Sequence, residues 1–154
     1  MLAPVLDITL YPRWERSEET MGGDPYLVSR LGVTIVKAYQ TDKEILDKKH
    51  FVATLKHFGV HGQPEGDSNV GPTFVNERTL RTVFFPPFKA CVMEEKAMSL
   101  MPCYAEVRRE PVHVSKWLLT SMLRKKWGFK GTVVSDYGGV KDLEILHHVS
   151  ENAE

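Results

Sequence analysis

The segment Gly-Thr-Val-Val-Ser-Asp-Tyr-Gly-Gly (residues 131–139) places a carboxylate just after a run of β-favouring residues. The run Thr132–Val134 is β-branched throughout, and a short run of this kind is typical of a buried strand. Asp136 follows at the end of that strand, where an unpaired charge enclosed by apolar groups would cost free energy. The fold must therefore leave an opening at this point.

Strand and helix patterns alternate along the chain, which is typical of a parallel sheet flanked by helices. The predicted strands are Ala3–Asp7, Phe51–Phe58, Met98–Tyr104 and Thr132–Asp136. The predicted helices begin after the N-caps Asp24, Asn76 and Ser115, and the last covers Val140–Val149. Pro86 and Pro87 are predicted to break the second helix, because neither can donate a backbone hydrogen bond, with a new stretch from Pro87 to about Met93.

Two parallel architectures fit this alternation: an open doubly wound sheet, and part of an eight-stranded barrel. No Gly-x-Gly-x-x-Gly motif follows a predicted strand, which disfavours an open dinucleotide-binding sheet. Every strand instead ends in polar residues, namely Asp7, Lys56 with His57, Tyr104 with Glu106, and Asp136. Barrel active sites form where the carboxyl ends of the strands meet. We therefore predict four consecutive βα units of a partial (β/α)8 TIM-type barrel, in which Asp136 faces a shared cavity.

Each of these polar residues also has a purely structural interpretation. Asp136 could cap the helix that follows it, although the two glycines after it place the helix start later. Lys56 and His57 could be a lysine that extends to solvent and a hydrogen-bonded core histidine, but two adjacent donors before a long loop favour a binding site. Arg16 could lie in a solvated loop, or it could orient a polar ligand.

The loop at residues 59–72 contributes further candidates, because long loops without regular structure are commonly functional. His61, Glu65 and Asp67 lie on it. His147 and His148 are predicted to be surface residues, since neighbouring residues on a helix point in different directions and make a poor metal pair.

The composition disfavours several classes of function. Twenty Lys and Arg residues balance 20 Asp and Glu residues, so no basic excess indicates nucleic-acid binding. The sequence has no run of 18 apolar residues that would indicate a membrane span, and no signal peptide is visible at the N-terminus. Cys91 and Cys103 lack metal-ligand spacing and are predicted to be buried free thiols. We expect neither a metal ion nor another cofactor.

Seven motifs follow one another along nearly the whole chain. They are Pro-Arg-Trp-Glu-Arg-Ser-Glu-Glu-Thr (12–20), Gly-Asp-Pro-Tyr-Leu (23–27), Lys-His-Phe (56–58) with His-Gly-Gln-Pro-Glu-Gly (61–66), Pro-Pro-Phe-Lys-Ala (86–90), Met-Pro-Cys-Tyr (101–104), Leu-Leu-Thr-Ser-Met-Leu-Arg-Lys-Lys-Trp-Gly-Phe-Lys-Gly (118–131) and Val-Val-Ser-Asp-Tyr (133–137). In this order they resemble the motifs of glycoside hydrolase family 3, the β-glucosidase and β-xylosidase group.

The resemblance implies a retaining, exo-acting β-glycosidase with Asp136 as its nucleophile and a β-glycoside as its substrate. It implies that Arg16, Lys56 and His57 bind hydroxyls of the terminal sugar, and we predict that Tyr104 contributes to the same site. A retaining mechanism needs a second carboxylate about 5–5.5 Å from the first. In the β-glucosidase branch of the family, that acid comes from a second domain.

Three alternatives stay open. The β-N-acetylhexosaminidase branch takes its acid from an Asp-Ser-His motif, and the sequence Asp67-Ser68-Asn69 at this offset lacks the histidine, which places that branch second. A Schiff-base enzyme using Lys56 is also conceivable. Finally, residues 1–154 are predicted to be a partial barrel domain, without its first strands and everything after the nucleophile-bearing unit. Such a fragment would have little activity of its own and could self-associate through exposed sheet edges.

Overall fold

The computed structural model describes residues 1–41 and 46–151, which form an α/β fold with parallel strands. The strands are β1 (Thr54–Phe58), β2 (Pro72–Thr73), β3 (Ser99–Pro102), β4 (Glu106–Val107), β5 (Glu110–Pro111) and β6 (Thr132–Val133). The α-helices are α1 (Pro25–Tyr39), α2 (Glu77–Thr79), α3 (Phe85–Glu95) and α4 (Gly139–Ile145). Leu80–Phe84 and Lys116–Lys126 are π-helical, and Ser17–Glu19, Glu65–Asp67 and Val112–Val114 form 3-10 turns.

The main sheet consists of β1, β3 and β6, paired in parallel in that order. Ser99 lies opposite both Thr54 of β1 and Thr132 of β6, which sets the register of all three strands. The predicted first strand is reduced to a parallel bridge between Val5 and Lys56, and the Lys56 N–H donates to the Pro4 carbonyl at 3.1 Å. The predicted α/β fold with a parallel sheet is thus confirmed.

A second, smaller sheet forms from the segments that follow β1 and β3 along the chain. In it β2 pairs in parallel with β4, and β4 pairs in antiparallel fashion with β5. Thr73 adds a side-chain hydrogen bond to the Glu106 carbonyl at 2.9 Å. These short strands order the loops that follow β1 and β3 without adding to the main sheet.

The three predicted N-caps are confirmed. The Asp24 carboxylate accepts hydrogen bonds from the N–H groups of Tyr26 and Leu27 at 2.8 and 2.9 Å. Asn76 accepts from the Thr79 N–H at 2.9 Å, and Ser115 accepts from the Leu118 N–H at 3.3 Å. Each cap satisfies a backbone donor that the first helical turn leaves without an acceptor. No helix in the described ranges is both long and apolar enough to cross a membrane.

The predicted break at Pro86 and Pro87 is wrong. The π-helical segment Leu80–Phe84 continues directly into α3, and the Phe85 N–H donates five residues back to the Leu80 carbonyl. A proline ring in a regular α-helix clashes with the carbonyl four residues before it. The wider turn that precedes the prolines accommodates both rings, so the helix runs on to Glu95.

The helix after β5 has a buried side and a hydrogen-bond pattern that differs from that of an α-helix. Lys116–Lys126 is π-helical, and the Trp127 N–H donates to the Met122 carbonyl at 3.0 Å. Leu118, Met122 and Leu123 are buried, as their spacing predicts. The helix ends before Gly128, whose φ of +75° is a left-handed conformation that suits glycine.

The C-terminal unit is shorter and more exposed than predicted. The strand is only Thr132–Val133, and α4 ends at Ile145 rather than Val149. Thr132 is exposed and Val134 is 37% exposed, so the predicted burial of this strand is wrong. The reason is that β6 is the outer strand of the main sheet within the described residues, and no strand covers its far side.

The core lies between the main sheet and the helices that cover it. Phe58 is fully buried at the end of β1, and its ring centroid lies 5.4 Å from Phe88 and 5.7 Å from Trp127. Cys91 and Cys103 are buried free thiols, as predicted, and burial raises the pKa of each to about 12. Such thiols are not reactive at neutral pH.

Gln40 joins the beginnings of two strands. It follows α1 and is buried, and its Oε1 accepts hydrogen bonds from the Ala53 N–H at 3.2 Å and the Met98 N–H at 3.0 Å. These donors precede β1 and β3, where backbone pairing between the two strands has not yet begun. One side-chain oxygen therefore provides the acceptor for both.

Replacing this side chain tests its contribution to stability. Gln40→Ala should lower the free energy of unfolding by about 2–4 kcal/mol, because each unsatisfied buried donor costs about 1–3 kcal/mol. Urea denaturation measures the change. Gln63→Ala is the matched control, since Gln63 is exposed. A loss at position 40 no larger than the loss at position 63 would show that Gln40 does not join the strands.

Candidate active site

Polar side chains from distant parts of the chain meet at the carboxyl end of the main sheet. Asp7, His57 and Asp136 are buried there, and Arg16 and Tyr104 lie half-buried beside them. Parallel strands in register bring their carboxyl ends to the same edge, which explains how these residues come together. The structure therefore assembles most of the predicted site residues in one place.

Asp7 and His57 form a buried pair. One carboxylate oxygen of Asp7 accepts from the His57 backbone N–H at 3.1 Å, and the other lies 2.8 Å from Nδ1 of the same residue. Burial opposes ionisation of Asp7, but the hydrogen bonds from His57 and the nearby imidazoles outweigh it and lower the pKa of Asp7. The peptide bond between Lys56 and His57 is cis.

Arg16 lies at the centre of the site. Its Nε and Nη2 donate to the two carboxylate oxygens of Glu19, each at 2.8 Å. Nη2 also lies 3.2 Å from Nε2 of His57, while Nη1 lies 2.6 Å from Nε2 of His61 and 3.3 Å from Oδ1 of Asn69. The guanidinium is thus held from several sides, and the solvated-loop interpretation does not apply.

His61 is one of the loop candidates that the structure places in the site. It is 1% exposed, and burial lowers its pKa to about 4. Because Arg16 can only donate, the nearby Nε2 of His61 carries a lone pair, and the proton of the neutral ring is on Nδ1. Nδ1 is buried without a hydrogen-bond partner in the described part of the chain. The indole of Trp14 packs edge-on against this ring, with the centroids 5.2 Å apart.

Asp136 has one engaged and one available oxygen. Oδ1 accepts from the Tyr137 N–H at 2.8 Å. Oδ2 is buried, has no hydrogen-bond partner among the described residues, and lies 3.5 Å from Nε2 of His57. The N-cap of α4 is Gly138, and no side chain caps that helix, so the interpretation of Asp136 as a helix cap is wrong.

Tyr104 lies next to Asp136 on the loop after β3. Its hydroxyl donates to the Tyr137 carbonyl at 2.6 Å. Partial burial, followed by the neighbouring Asp136 carboxylate, raises the pKa of Tyr104 to about 12. The ring stacks on His113, and Gly139 lies close to the same imidazole, because a Cβ there would lie 2.5 Å from Nε2 of His113. The sequence contains no signal for this role of His113.

Lys56 contributes less to the geometry than its neighbour. It is half-buried, and its charge is among the smaller causes that lower the pKa of Glu19, after the main hydrogen bond from Arg16. The predicted pair is thus split into a buried His57 and a more accessible Lys56.

The structure does not bring the remaining candidates into this site. Glu65 is exposed, and the side chain of Asp67 is outside the described part of the structure. His147 is not a surface residue as predicted, because its Nδ1 pairs with Glu106 at 2.9 Å and its side chain is only 5% exposed. Within residues 1–41 and 46–151, no three His, Cys, Asp or Glu residues are arranged to hold a metal ion.

The buried His61 predicts a pH dependence of stability. Its pKa of about 4 in the folded chain lies below the ordinary value of 6.5, so only the unfolded chain takes up the proton between these values. The stabilisation is complete above pH 6.5 and is lost as the pH falls toward 4, by about 3 kcal/mol in total. Between pH 6.5 and pH 4, the free energy of unfolding should fall by about 3 kcal/mol more in the unmodified chain than in His61→Gln.

Denaturation series at several pH values measure this difference. His50→Gln provides the control, because His50 lies outside the site and pairs with Asp47 at the surface. Parallel pH profiles for the unmodified chain and His61→Gln would contradict the prediction.

Relatives with known names are substantially longer than this chain. It is 42% identical over 141 residues to a β-xylosidase from Formosa agariphila, covering 91% of this chain and 20% of that protein. It is 35% identical over 152 residues to a periplasmic β-glucosidase from Salmonella typhimurium, covering 99% of this chain and 20% of that protein. The chain thus spans about one fifth of the length of the curated relatives it matches.

Solved structures show the same backbone. A β-glucosidase from Erythrobacter marinus superposes with a TM-score of 0.94 and 36% identity, over 98% of this chain and 20% of that one. A β-glucosidase from Listeria innocua, solved in complex with glucose, superposes with a TM-score of 0.89 and 29% identity, over 99% of this chain and 21% of that one.

The sequence profile of the glycosyl hydrolase family 3 N-terminal domain matches residues 1–154. The resemblance seen in the sequence motifs is therefore confirmed over the full chain. By its sequence profile, its relatives and its backbone, the chain belongs to glycosyl hydrolase family 3 and corresponds to the family's N-terminal domain.

Proposed function

We propose that this chain supplies the nucleophile and part of the sugar-binding site of a retaining, exo-acting β-glycosidase of the β-glucosidase or β-xylosidase type. The observation that carries the proposal is the buried Asp136, whose Oδ2 has no hydrogen-bond partner among the described residues. Family membership and the names of the relatives support the reaction class.

The environment of Asp136 suits a nucleophile. The Tyr137 N–H binds Oδ1 and orients the carboxylate, while Oδ2 stays available for attack. Arg16 places a permanent positive charge in the same site, and the field of Asp136 is one of the causes that raise the pKa of Arg16, after the hydrogen bond to Glu19. The reaction uses the carboxylate of Asp136 as its nucleophile.

The proposed reaction has two steps. In the first, Oδ2 of Asp136 attacks the anomeric carbon, the glycosidic bond breaks, and a general acid protonates the leaving oxygen. In the second, the same group removes a proton from water, and the water oxygen displaces the carboxylate from the glycosyl ester. The buried Asp7 is bound to His57 and so does not serve as the acid. We propose that the acid comes from outside residues 1–154, as in the β-glucosidase branch.

Four residues are proposed to bind the terminal sugar. Arg16 and Lys56 supply cationic donors, His57 supplies a ring nitrogen, and Tyr104 supplies a hydroxyl beside Asp136. A sugar offers several hydroxyls that both donate and accept, so a mixed set of this kind can fix its orientation. The complex of the Listeria enzyme with glucose supports this class of ligand.

We also propose that residues 1–154 are four consecutive βα units of a partial (β/α)8 barrel within the N-terminal domain, without the first strands and the units that follow. The order of the segment at Val5, β1, β3 and β6 supports this proposal. Phe51 and Val134 are exposed near the two outer segments, which supports association through these edges.

Asn69 goes against the hexosaminidase alternative, because its amide oxygen is bound to Arg16 and an amide cannot act as the acid.

Covalent labelling tests the choice of nucleophile. In the full natural protein, a 2-deoxy-2-fluoro β-glycoside should form a stable ester on Asp136, which peptide mass spectrometry locates. Asp136→Asn should lose turnover and labelling while it stays folded, because an amide is a far poorer nucleophile of nearly the same shape.

Asp24→Asn is the matched control. Asp24 caps α1, and asparagine caps a helix about as well as aspartate, so turnover should persist. Label on Glu65 or Asp67, or an active Asp136→Asn enzyme, would refute the assignment. Absence of label from the unmodified protein in the presence of turnover would refute the covalent mechanism.

A further inference from the structure

Asp7 directs both of its carboxylate oxygens to one residue, and that residue lies in the proposed sugar site. Oδ1 lies 3.1 Å from the His57 backbone nitrogen, and Oδ2 lies 2.8 Å from His57 Nδ1. Both side chains are about 2% exposed, so solvent does not compete for these hydrogen bonds. Both oxygens of Asp7 are occupied by these contacts, which determine the chemistry of His57.

The hydrogen bonds define which ring nitrogen carries the proton. Nδ1 of His57 and the His57 backbone N–H each face one carboxylate oxygen of Asp7. An ionised carboxylate only accepts hydrogen bonds, so Nδ1 must donate. On the opposite side of the ring, Nη2 of Arg16 lies 3.2 Å from Nε2. A guanidinium only donates, so this contact requires a lone pair on Nε2. Both sides of the ring therefore favour the same neutral tautomer.

We propose that Asp7 is a positioning residue that holds His57 in the Nδ1–H tautomer and so presents Nε2 to the site as a hydrogen-bond acceptor. This inference rests on the proposed function and deepens it, because an acceptor at Nε2 receives the guanidinium of Arg16, another proposed sugar ligand, next to the nucleophile. Asp136 Oδ2 lies 3.5 Å from the same nitrogen. A lone pair on Nε2 leaves that oxygen free, whereas an N–H there would bind it.

An isosteric change at Asp7 reverses this arrangement. In Asp7→Asn the His57 backbone N–H still needs an acceptor, so the amide oxygen is expected to replace Oδ1. The amide nitrogen then faces Nδ1 and can only donate, which moves the ring proton to Nε2. A role of Asp7 in packing alone would be preserved by asparagine, because the two side chains have nearly the same shape.

Nitrogen NMR of the ¹⁵N-histidine-labelled chain measures the tautomer without any turnover. At about pH 8, above the ordinary pKa of histidine, Nδ1 of His57 should have the shift of a protonated ring nitrogen and Nε2 that of an unprotonated one. In Asp7→Asn the two shifts should exchange. His57→Gln identifies the signals by their loss. Asp47→Asn, which alters the exposed Asp47–His50 pair, should leave the His57 signals unchanged.

Each outcome decides the inference. A doubly protonated ring or an Nε2–H tautomer in the unmodified chain overturns it, and so does an Nδ1–H tautomer that persists in a folded Asp7→Asn variant. If Asp7→Asn does not fold, the spectrum of the unmodified chain is the deciding measurement. Failure of the labelling experiment on Asp136 would refute the proposed function and leave this result intact, so the two can be told apart.

Discussion

The parallel register of the main sheet is the constraint on which the rest of the structure depends. Ser99 in β3 lies opposite Thr54 on one side and Thr132 on the other, and the Lys56 backbone bonds to the segment before Asp7. Because all of these segments run the same way, their carboxyl ends lie at one edge. A shift of one residue would turn each side chain to the opposite face and disperse the site.

A buried polar network then makes this edge stable. A charge removed from water is costly unless it is paired and hydrogen-bonded. Asp7 meets this requirement through two hydrogen bonds from His57, and Arg16 meets it through Glu19 and the two imidazoles of His57 and His61. Among the described residues of this network, Oδ2 of Asp136 and Nδ1 of His61 are buried without a hydrogen-bond partner, and such atoms in a native structure call for an explanation.

Membership of glycosyl hydrolase family 3 connects this network to carbohydrate chemistry. In the function proposed for this chain, the nucleophile works with neighbours that are held in place before the sugar binds. The tight holding of Arg16 and His57 fits that requirement. The chain spans about one fifth of the length of its curated relatives. The proposal therefore includes which catalytic residues this domain supplies and which come from elsewhere in the enzyme.

The sequence by itself determined the α/β class with a parallel sheet, the family and the three N-caps, and it predicted the site candidates Asp136, Arg16, Lys56, His57 and Tyr104. These follow from local patterns and motif order, which are readable along one chain. The continuous helix through Pro86 and Pro87, the exposed β6 and the burial of His147 were not predictable, because each depends on packing or on which segments cover an element. Likewise, only the tertiary structure decided that Asp7 binds His57 and that His61 binds Arg16, since hydrogen bonds between distant residues leave no periodic signal in the sequence.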